Sequence, residues 1–296
     1  TVEVRKATPR GGAGHQQRLQ SYNNNQFQKP YAQNDSNNTN VATSHTGSGG
    51  HSRTMTEVDG KKIFVGGMLV LSNGTIVSKI KKRPVPKWMT KTVKLNKFTE
   101  DNFSIKSHSD LVDVNVIDMK TEIITKKTHE TLSVKDENVI PSYDKDVWKV
   151  AAFDRTFGST KHAVGFLKNF GPMIGAFAST WSFHENNMIV IGSNEKDMAI
   201  AANSLLRTQG GMVVVYKGKI LSSMPLQMAG ILSTDSFEKT SKNFSNINNV
   251  LLDSGCKFKK PHLIPLFLPF LALPEIRILY QGLIDVKSRS FLKTIV

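Results

Sequence analysis

The residues best suited to chemistry lie in one short polar segment, SFHENN at 182–187. An imidazole beside a carboxylate on a loop could transfer a proton or bind a polar substrate. The same composition is typical of a hydrogen-bonded turn whose asparagine side chains satisfy backbone groups, and the residue types alone favour that turn. If the segment does lie next to a substrate, the candidate residues are Ser182, His184, Glu185 and Asn187.

Metal-binding patterns do not occur in this sequence. The eight histidines are dispersed, at positions 15, 45, 51, 108, 129, 162, 184 and 262. None forms His-x-His, or the His-Glu-x-x-His pattern that places two imidazoles on one metal ion. Glycine-rich phosphate loops and dinucleotide-binding fingerprints do not occur either. The sequence therefore predicts no metal ligands and no bound cofactor in this chain.

The polar segment lies between apolar stretches that must position it. Gly175 to Ala178 precedes it, and NMIVI at 187–191 follows as a short buried strand. Asn194 is a suitable cap for a helix running to about Thr208, and 212–216 returns as a strand after two glycines. This strand-helix-strand order predicts a βαβ-like unit and a partly parallel sheet. The predicted buried face of the helix comprises Met198, Ala201, Ala202 and Leu205.

A second helix is predicted from Asp235, with Glu238 completing a capping box and Gly255 ending the helix. Apolar residues recur along one side of it at roughly helical spacing. The side chains expected on that buried face are Phe237, Phe244, Ile247 and Leu251.

Strand signals occur upstream of these helices. The segment 62–77 is typical of a β-hairpin, broken by Gly66-Gly67 and followed by a tight turn at Asn73-Gly74. Leu111 to Ile117 alternates between apolar and polar residues, and 122–125 and 147–153 are further strand candidates. The apolar residues predicted on one face of the first of these three strands are Val112, Val114 and Val116.

The first 55 residues differ in composition from the rest. They are rich in Asn, Gln and Ser and contain few aliphatic residues. Such a segment buries too little apolar surface to offset its ordering entropy, so we expect a disordered tail. An inert tail is favoured over a functional binding arm, and both interpretations stay open.

The 296-residue chain carries 39 basic and 24 acidic residues, a formal net charge of +15. Such a surface attracts anions in general, but the basic residues are spread without aromatic interleaving, which disfavours a nucleic-acid partner. The single cysteine, Cys256, excludes a disulfide within the chain. No apolar run reaches the roughly 18 residues of a membrane-spanning helix, and no secretory signal is recognised. We therefore expect a cytoplasmic protein with no membrane partner.

Several motifs resemble the C-terminal domain of bacterial-type adenine deaminases, in the amidohydrolase superfamily. Within 164–215 the matching residues are Phe170-Gly171, Gly175-Ala176, Ala178, Thr180, Gly192 and Asp197-Met198-Ala199. MPLQMAGILST at 224–234 and FLALPEIRILYQGLIDV at 270–286 are similar to later segments of that domain. IFVGGMLVLSNG at 63–74 is similar to the strand pair that follows the family's catalytic barrel. The resemblance covers about residues 60–286.

The resemblance implies three regions. Residues 1–55 form the disordered tail, and 56–95 form a β-hairpin and basic linker, a remnant of the β-sandwich that follows the barrel. Residues 96–296 form the adenine deaminase C-terminal-like domain, of mixed α+β character within the α/β class. Its sheet is expected to be mixed, partly parallel and covered by helices.

The implied reaction is the hydrolysis of adenine to hypoxanthine and ammonia, assisted by a divalent transition metal (Mn or Fe) that the family's barrel holds. Only about 60 residues precede the match, whereas such a barrel needs on the order of 200 or more. We therefore expect the chain to meet adenine only when a barrel is supplied, through a barrel-bearing subunit or a longer chain. Association into a homo-oligomer is a further expectation. The alternative is a non-catalytic structural or partner-binding module derived from this domain.

Two departures from the family pattern bear on the site. The family reads Ser-His-Asp-Ser-His-Asn where this chain has SFHENN, so only Ser182 and Asn187 match. Any chemistry of that loop is therefore damaged or shifted here. Asn169 stands where the family has glycine, a substitution expected to disturb a turn.

Overall fold

The computed structural model describes residues 55–58, 62–78, 84–171, 173–182 and 184–296. The chain divides into two compact units, Thr1–Lys82 and Arg83–Val296. The predicted disordered tail lies outside the described residues, apart from Met55. The boundaries expected at residues 55 and 95 stay a prediction.

The smaller unit contains a four-stranded antiparallel meander. The two predicted turns, Gly66-Gly67 and Asn73-Gly74, join consecutive strands, and all four residues have positive φ. The predicted hairpin is confirmed, and it has a further strand on each side. The strands are β1 (Met55–Val58), β2 (Lys62–Val65), β3 (Met68–Ser72) and β4 (Thr75–Ile76).

The larger unit contains twelve strands in the described part of the chain. They are β5 (Leu111–Met119), β6 (Thr125–Lys135), β7 (Asn138–Val139), β8 (Val147–Asp154), β9 (His162–Lys168), β10 (Ala176–Ser179), β11 (Asn187–Gly192), β12 (Gly211–Tyr216), β13 (Lys219–Pro225), β14 (Ile276–Leu279), β15 (Gly282–Asp285) and β16 (Ser290–Leu292). Nine of them form one sheet in the order β13-β12-β10-β11-β8-β9-β5-β6-β7, and β14-β15-β16 form a second sheet.

The nine-stranded sheet is mixed, as predicted. Strands β5 and β9 pair in parallel, and every other neighbouring pair is antiparallel. The predicted strand-helix-strand unit corresponds to β11, a helix and β12. These two strands run parallel, but β10 lies between them and pairs with both. The unit is therefore a split βαβ arrangement.

Helix α1 (Glu195–Thr208) confirms the predicted helix and its cap. The Asn194 side-chain oxygen accepts a 2.8 Å hydrogen bond from the Asp197 N–H, which satisfies one of the free donors at the helix N-terminus. Gln209 follows in the left-handed region with φ 56° and ends the helix. The four apolar residues predicted to face the core are buried: Met198, Ala201, Ala202 and Leu205.

Helix α2 (Phe237–Asp253) begins two residues later than predicted. Its cap is Ser236, whose hydroxyl oxygen accepts a hydrogen bond from the Lys239 N–H. The predicted buried face is correct for Ile247 and Leu251 and wrong for Phe237, which is 83% exposed. Helical periodicity identifies a face, but not how far the first turn projects beyond the core, and here residues 237–239 are all exposed.

The remaining helices are short, and no helix of the described part is long and apolar enough to cross a membrane. They are α3 (Ile264–Phe267) and three 3₁₀ turns, Lys87–Thr90, Glu100–Phe103 and Pro261–Leu263.

Two of the three upstream strand predictions are confirmed by β5 and β8, and Val112, Val114 and Val116 are buried as expected. The prediction for 122–125 is wrong. The Thr121 hydroxyl accepts hydrogen bonds from the N–H groups of Ile123 and Ile124. Those bonds form a turn, and β6 starts only at Thr125.

The large sheet is the middle of three layers. On one face, Met188 and Val190 of β11 pack in a cluster with Met198 of α1. On the other face, Ile189 and Ile191 pack in a cluster with residues of α2 and β14. Since alternate residues of a strand point to opposite faces, a strand covered on both faces has a continuous apolar sequence, as β11 does.

The turn at Asn169 is intact. Asn169 has φ 66°, and its side-chain nitrogen donates a 2.6 Å hydrogen bond to Asp118 Oδ1. Asparagine is among the non-glycine residues that best tolerate the left-handed region. The expected disturbance is therefore not seen.

Residues 293–296 close the junction between β5 and β9. These strands pair directly only from Val116 to Asp118. Beyond that point, the Asn115 N–H donates to the Thr294 carbonyl at 2.9 Å, and the Thr294 hydroxyl donates to the Val164 carbonyl of β9 at 2.9 Å. The segment therefore links the two strands where they diverge.

Candidate functional site

One end of the large sheet gathers several loops, among them the one that carries the candidate residues. Asp154 at the end of β8 pairs with Asn187 at the start of β11, and Phe153 pairs with His162. Gly211 at the start of β12 pairs with Pro225 at the end of β13. The loops 155–161, 180–186 and 226–236 therefore emerge from the same end. We call this end, with the adjoining segment 84–93, the loop end.

Arg155 is the most deeply buried cation of the loop end, at 2% exposed. Its guanidinium donates to the Ala229 carbonyl at 3.1 Å, to Asn186 Oδ1 at 3.1 Å and to the Ser182 carbonyl at 3.5 Å. Burial lowers the pKa of Arg155 to about 10, so the group is charged at neutral pH. Within the described part of the chain, no carboxylate forms an ion pair with it. Arg155 thus links two of the loops, and its charge has no carboxylate partner among the described residues.

Ser182 and Glu185 lie on the loop that Arg155 holds. Ser182 is buried, and its hydroxyl has no hydrogen-bond partner among the described residues. Glu185 is half-buried, and one oxygen of its carboxyl likewise has no partner there. Burial raises the pKa of the Glu185 carboxyl, although a hydrogen bond from the Leu271 N–H opposes the shift. The two groups could accept further hydrogen bonds from a ligand, a partner or ordered water.

The other two candidate residues have different surroundings. The His184 ring stacks on Phe270, with 4.2 Å between the ring centroids. Asn187 is buried; its amide nitrogen donates to the Glu185 carbonyl at 3.1 Å, and its Oδ1 accepts a 2.9 Å bond from the Tyr280 N–H. Asn187 therefore satisfies backbone groups as a hydrogen-bonded turn requires. A substrate-adjacent role for the four candidates stays a prediction.

Arg155 belongs to none of the sequence motifs that predicted the candidate residues. A signal was nevertheless present, because the arginine directly follows an eight-residue strand that is buried along its whole length. A charged residue placed where a buried strand meets a loop is a candidate for binding or for loop positioning.

An aromatic cluster packs behind this loop. The Trp181 and Phe244 rings meet edge to face at 5.5 Å, and His262 packs against Phe244 at 4.4 Å between centroids. His262 Nδ1 lies 2.8 Å from Asn248 Oδ1. Burial lowers the pKa of His262 to about 4, and the nearby positive charge of Lys260 adds to the shift. His262 is therefore neutral in the folded protein at pH 7.

This depressed pKa predicts a loss of stability in mild acid. The His262 pKa is about 4 when folded and about 6.5 when unfolded, so between these values the unfolded chain binds more protons. Lowering the pH from 7 to 5 should therefore cost about 2 kcal/mol through this residue.

The check is a pair of urea titrations, at pH 7 and pH 5, on the wild type and on His262→Gln. Glutamine retains a donor for Asn248 but does not titrate, so the variant should lose about 2 kcal/mol less than the wild type. An equal loss in both proteins would contradict the assignment.

The donor set of this chain does not fit the metal that the resemblance implies. The described residues contain no group of three or more His, Cys, Asp or Glu side chains able to hold a metal ion. The candidate loop offers one imidazole, stacked on Phe270, and one carboxyl. The described residues therefore do not supply the ligand set that such a metal needs.

A mixed sheet covered by helices, with polar loops gathered at one end, makes the larger unit a mixed α+β domain of the α/β class. Its sequence matches the adenine deaminase C-terminal domain family over residues 122–290. The chain belongs to this family, as the recognised motifs predict.

Three relatives illustrate the match. Adenine deaminase of Cenarchaeum symbiosum (strain A) is 50% identical over 79% of this chain, and the match covers 38% of the relative. The enzyme of Clostridium botulinum (strain Langeland / NCTC 10281 / Type F) is 33% identical over 79% of this chain and 40% of its own length. That of Brucella abortus (strain 2308) is 34% identical over 75% of this chain and 39% of its own length. The chain thus spans about two fifths of the length of these relatives.

Proposed function

We propose that this chain is the C-terminal portion of an adenine deaminase-like hydrolase, and that it acts together with a metal-binding barrel. The reaction consumes adenine and water and releases hypoxanthine and ammonia. The observation that carries the proposal is the 50% identity to the Cenarchaeum symbiosum adenine deaminase over 79% of this chain. The proposal includes a cytoplasmic location and a role in adenine catabolism.

The smaller unit supports the need for additional chain. It contains large apolar residues such as Phe64, Leu69 and Leu71, but no side chain described within 62–78 is buried. A small sheet needs an apolar face covered to be stable. Strands or a domain supplied by the rest of a deaminase would provide that cover.

Within this proposal the loop at 182–187 lies beside the substrate site and shapes it. Arg155 holds the loop through Asn186, and Asn187 anchors its end to Tyr280. The chemistry that a barrel metal supplies when bound is activation of the attacking water. This chain contributes positioning, since its buried amides and guanidinium fix the loop that faces the barrel.

Reconstitution tests the proposal. The partner is the Cenarchaeum symbiosum adenine deaminase shortened by the segment that matches this chain, loaded with Mn²⁺. We expect ammonia release from adenine when the two proteins are mixed or fused, and none from this chain alone. Release by the purified 296-residue chain alone would overturn the dependence on a barrel. A fusion that binds Mn²⁺ but releases no ammonia would contradict the deaminase assignment.

A non-catalytic module is the second candidate function. The observation that favours it is the geometry of the loop, where His184 is stacked on Phe270 and Asn187 is engaged with backbone groups. Such a module would form a stable complex with a barrel-bearing subunit, or a homo-oligomer, without turnover under any reconstitution. Analytical ultracentrifugation of the same mixture, read beside its ammonia release, separates the two candidates.

A further inference from the structure

The loop end contains most of the buried polar atoms that have no partner. Among the described residues, five buried side-chain N or O atoms have no hydrogen-bond partner. Three of them belong to Arg155, Ser182 and Glu185. A fourth is the hydroxyl of Thr92. The next residue, Val93, places Thr92 at the loop end, because its N–H donates to the side chain of Gln209, next to the start of β12. Buried polar groups in folded proteins are nearly always paired, so a cluster of this kind indicates a surface that is completed by something else.

The same end exposes large aromatic side chains. Phe157 lies in the loop after β8, and Phe237 directly follows the loop 226–236. Trp88 lies at the same end, because the carbonyl of its neighbour Met89 accepts a hydrogen bond from the Ala229 N–H. These three side chains are 84%, 83% and 73% exposed, respectively. Exposed aromatic residues beside buried polar groups are typical of a surface that binds another protein.

The course of the chain indicates which protein binds the loop end. Segment 84–93 enters the larger unit at the loop end, where the Lys94 N–H donates to the Arg155 carbonyl at 2.8 Å. Whatever precedes residue 84 in a longer deaminase is therefore tethered at this end. Tethering raises its effective concentration there and favours contact with this face.

We propose that the loop end is the docking surface for the part of an adenine deaminase chain that precedes the matched region in the relatives. The aromatic side chains form the apolar centre of the interface. In the complex, the unpaired groups of Thr92, Arg155, Ser182 and Glu185 form hydrogen bonds with that partner or with water trapped beneath it. This inference rests on the proposed function for the identity of the partner.

Site-directed labelling tests the proposal in the full chain. Phe157→Cys and Trp88→Cys place a thiol at the loop end, and Met173→Cys places one at the opposite end, in the connection between β9 and β10. Met173 is 75% exposed and is a matched control for Trp88. The native Cys256 is buried, with its pKa raised by burial to about 11, so it reacts slowly with a maleimide.

We expect the shortened Cenarchaeum symbiosum partner to slow maleimide labelling at positions 157 and 88 at least tenfold, and to leave labelling at 173 within twofold. Equal labelling in a complex that forms would overturn the docking surface and leave the proposed function standing. Slowed labelling without ammonia release from adenine would retain the docking surface and contradict the proposed function. The proposal would also be overturned if no complex forms. The same holds if maleimide labelling slows as the concentration of this chain alone rises.

Discussion

Met198→Asp is expected to unfold the larger unit. Met198 is fully buried on α1 and packs with Phe103 and Val190. The substitution removes an apolar side chain from the core, which costs about 2–5 kcal/mol, and places a carboxylate inside an apolar cluster. Because folded domains are stable by only about 5–15 kcal/mol, the sum approaches or exceeds the whole free energy of unfolding.

The matched control is His184→Ala. His184 is exposed on the loop end and contributes a stacking contact with Phe270, so its removal should change stability by about 1 kcal/mol or less. Thermal melts followed by circular dichroism compare both variants with the wild type. Equal midpoints for the two variants would contradict the assignment of Met198 to the core and of His184 to the surface.

The second large effect is expected for Lys149→Met. The Lys149 side chain is fully buried and donates to Glu195 Oε1 at 2.5 Å, to Asn138 Oδ1 at 3.0 Å and to the Phe103 carbonyl at 3.1 Å. These bonds connect the start of α1 to β7 and to the turn before β5. Removing the ammonium group leaves the Glu195 carboxylate partly buried without its partner, which typically costs 3–5 kcal/mol.

The double variant Lys149→Met with Glu195→Gln identifies the mechanism. Removing both charges avoids the uncompensated carboxylate, so the double variant should recover at least half of the lost free energy of unfolding. Urea denaturation at pH 7 measures both. A double variant no more stable than Lys149→Met alone would show that packing of the lysine stem, and not its charge, accounts for the effect.

The sequence predicted those elements that are determined by residues close together in the chain. Helix α1 is set by the Asn194 cap and by an apolar face at helical spacing, and the strands on either side of it are continuous apolar runs. The turn at Asn73-Gly74 is likewise determined by residues that tolerate positive φ.

Features that depend on distant contacts were not predictable in the same way. Strand β6 contains three lysines and a glutamate among its eleven residues, and it is recognised only through pairing with β5. The exposure of Phe237 depends on where the core ends beneath α2. At the candidate site, the polar residue types of 182–187 were evident. The contacts of Asn186 and of the Ser182 carbonyl depend on Arg155, which directly follows β8 and was not singled out.

The segment 293–296 has a consequence for how the larger unit assembles. It supplies backbone and side-chain bonds between β5 and β9, two strands that lie more than 120 residues earlier in the chain. Contacts between residues so far apart in sequence carry a high loop-closure cost and form slowly. The two halves of the sheet can therefore collapse separately, but the junction between β5 and β9 is completed only once residues 293–296 have been synthesised. During synthesis, the edges of β5 and β9 stay open to other strands until that moment, so this junction is where domain swapping or aggregation would begin.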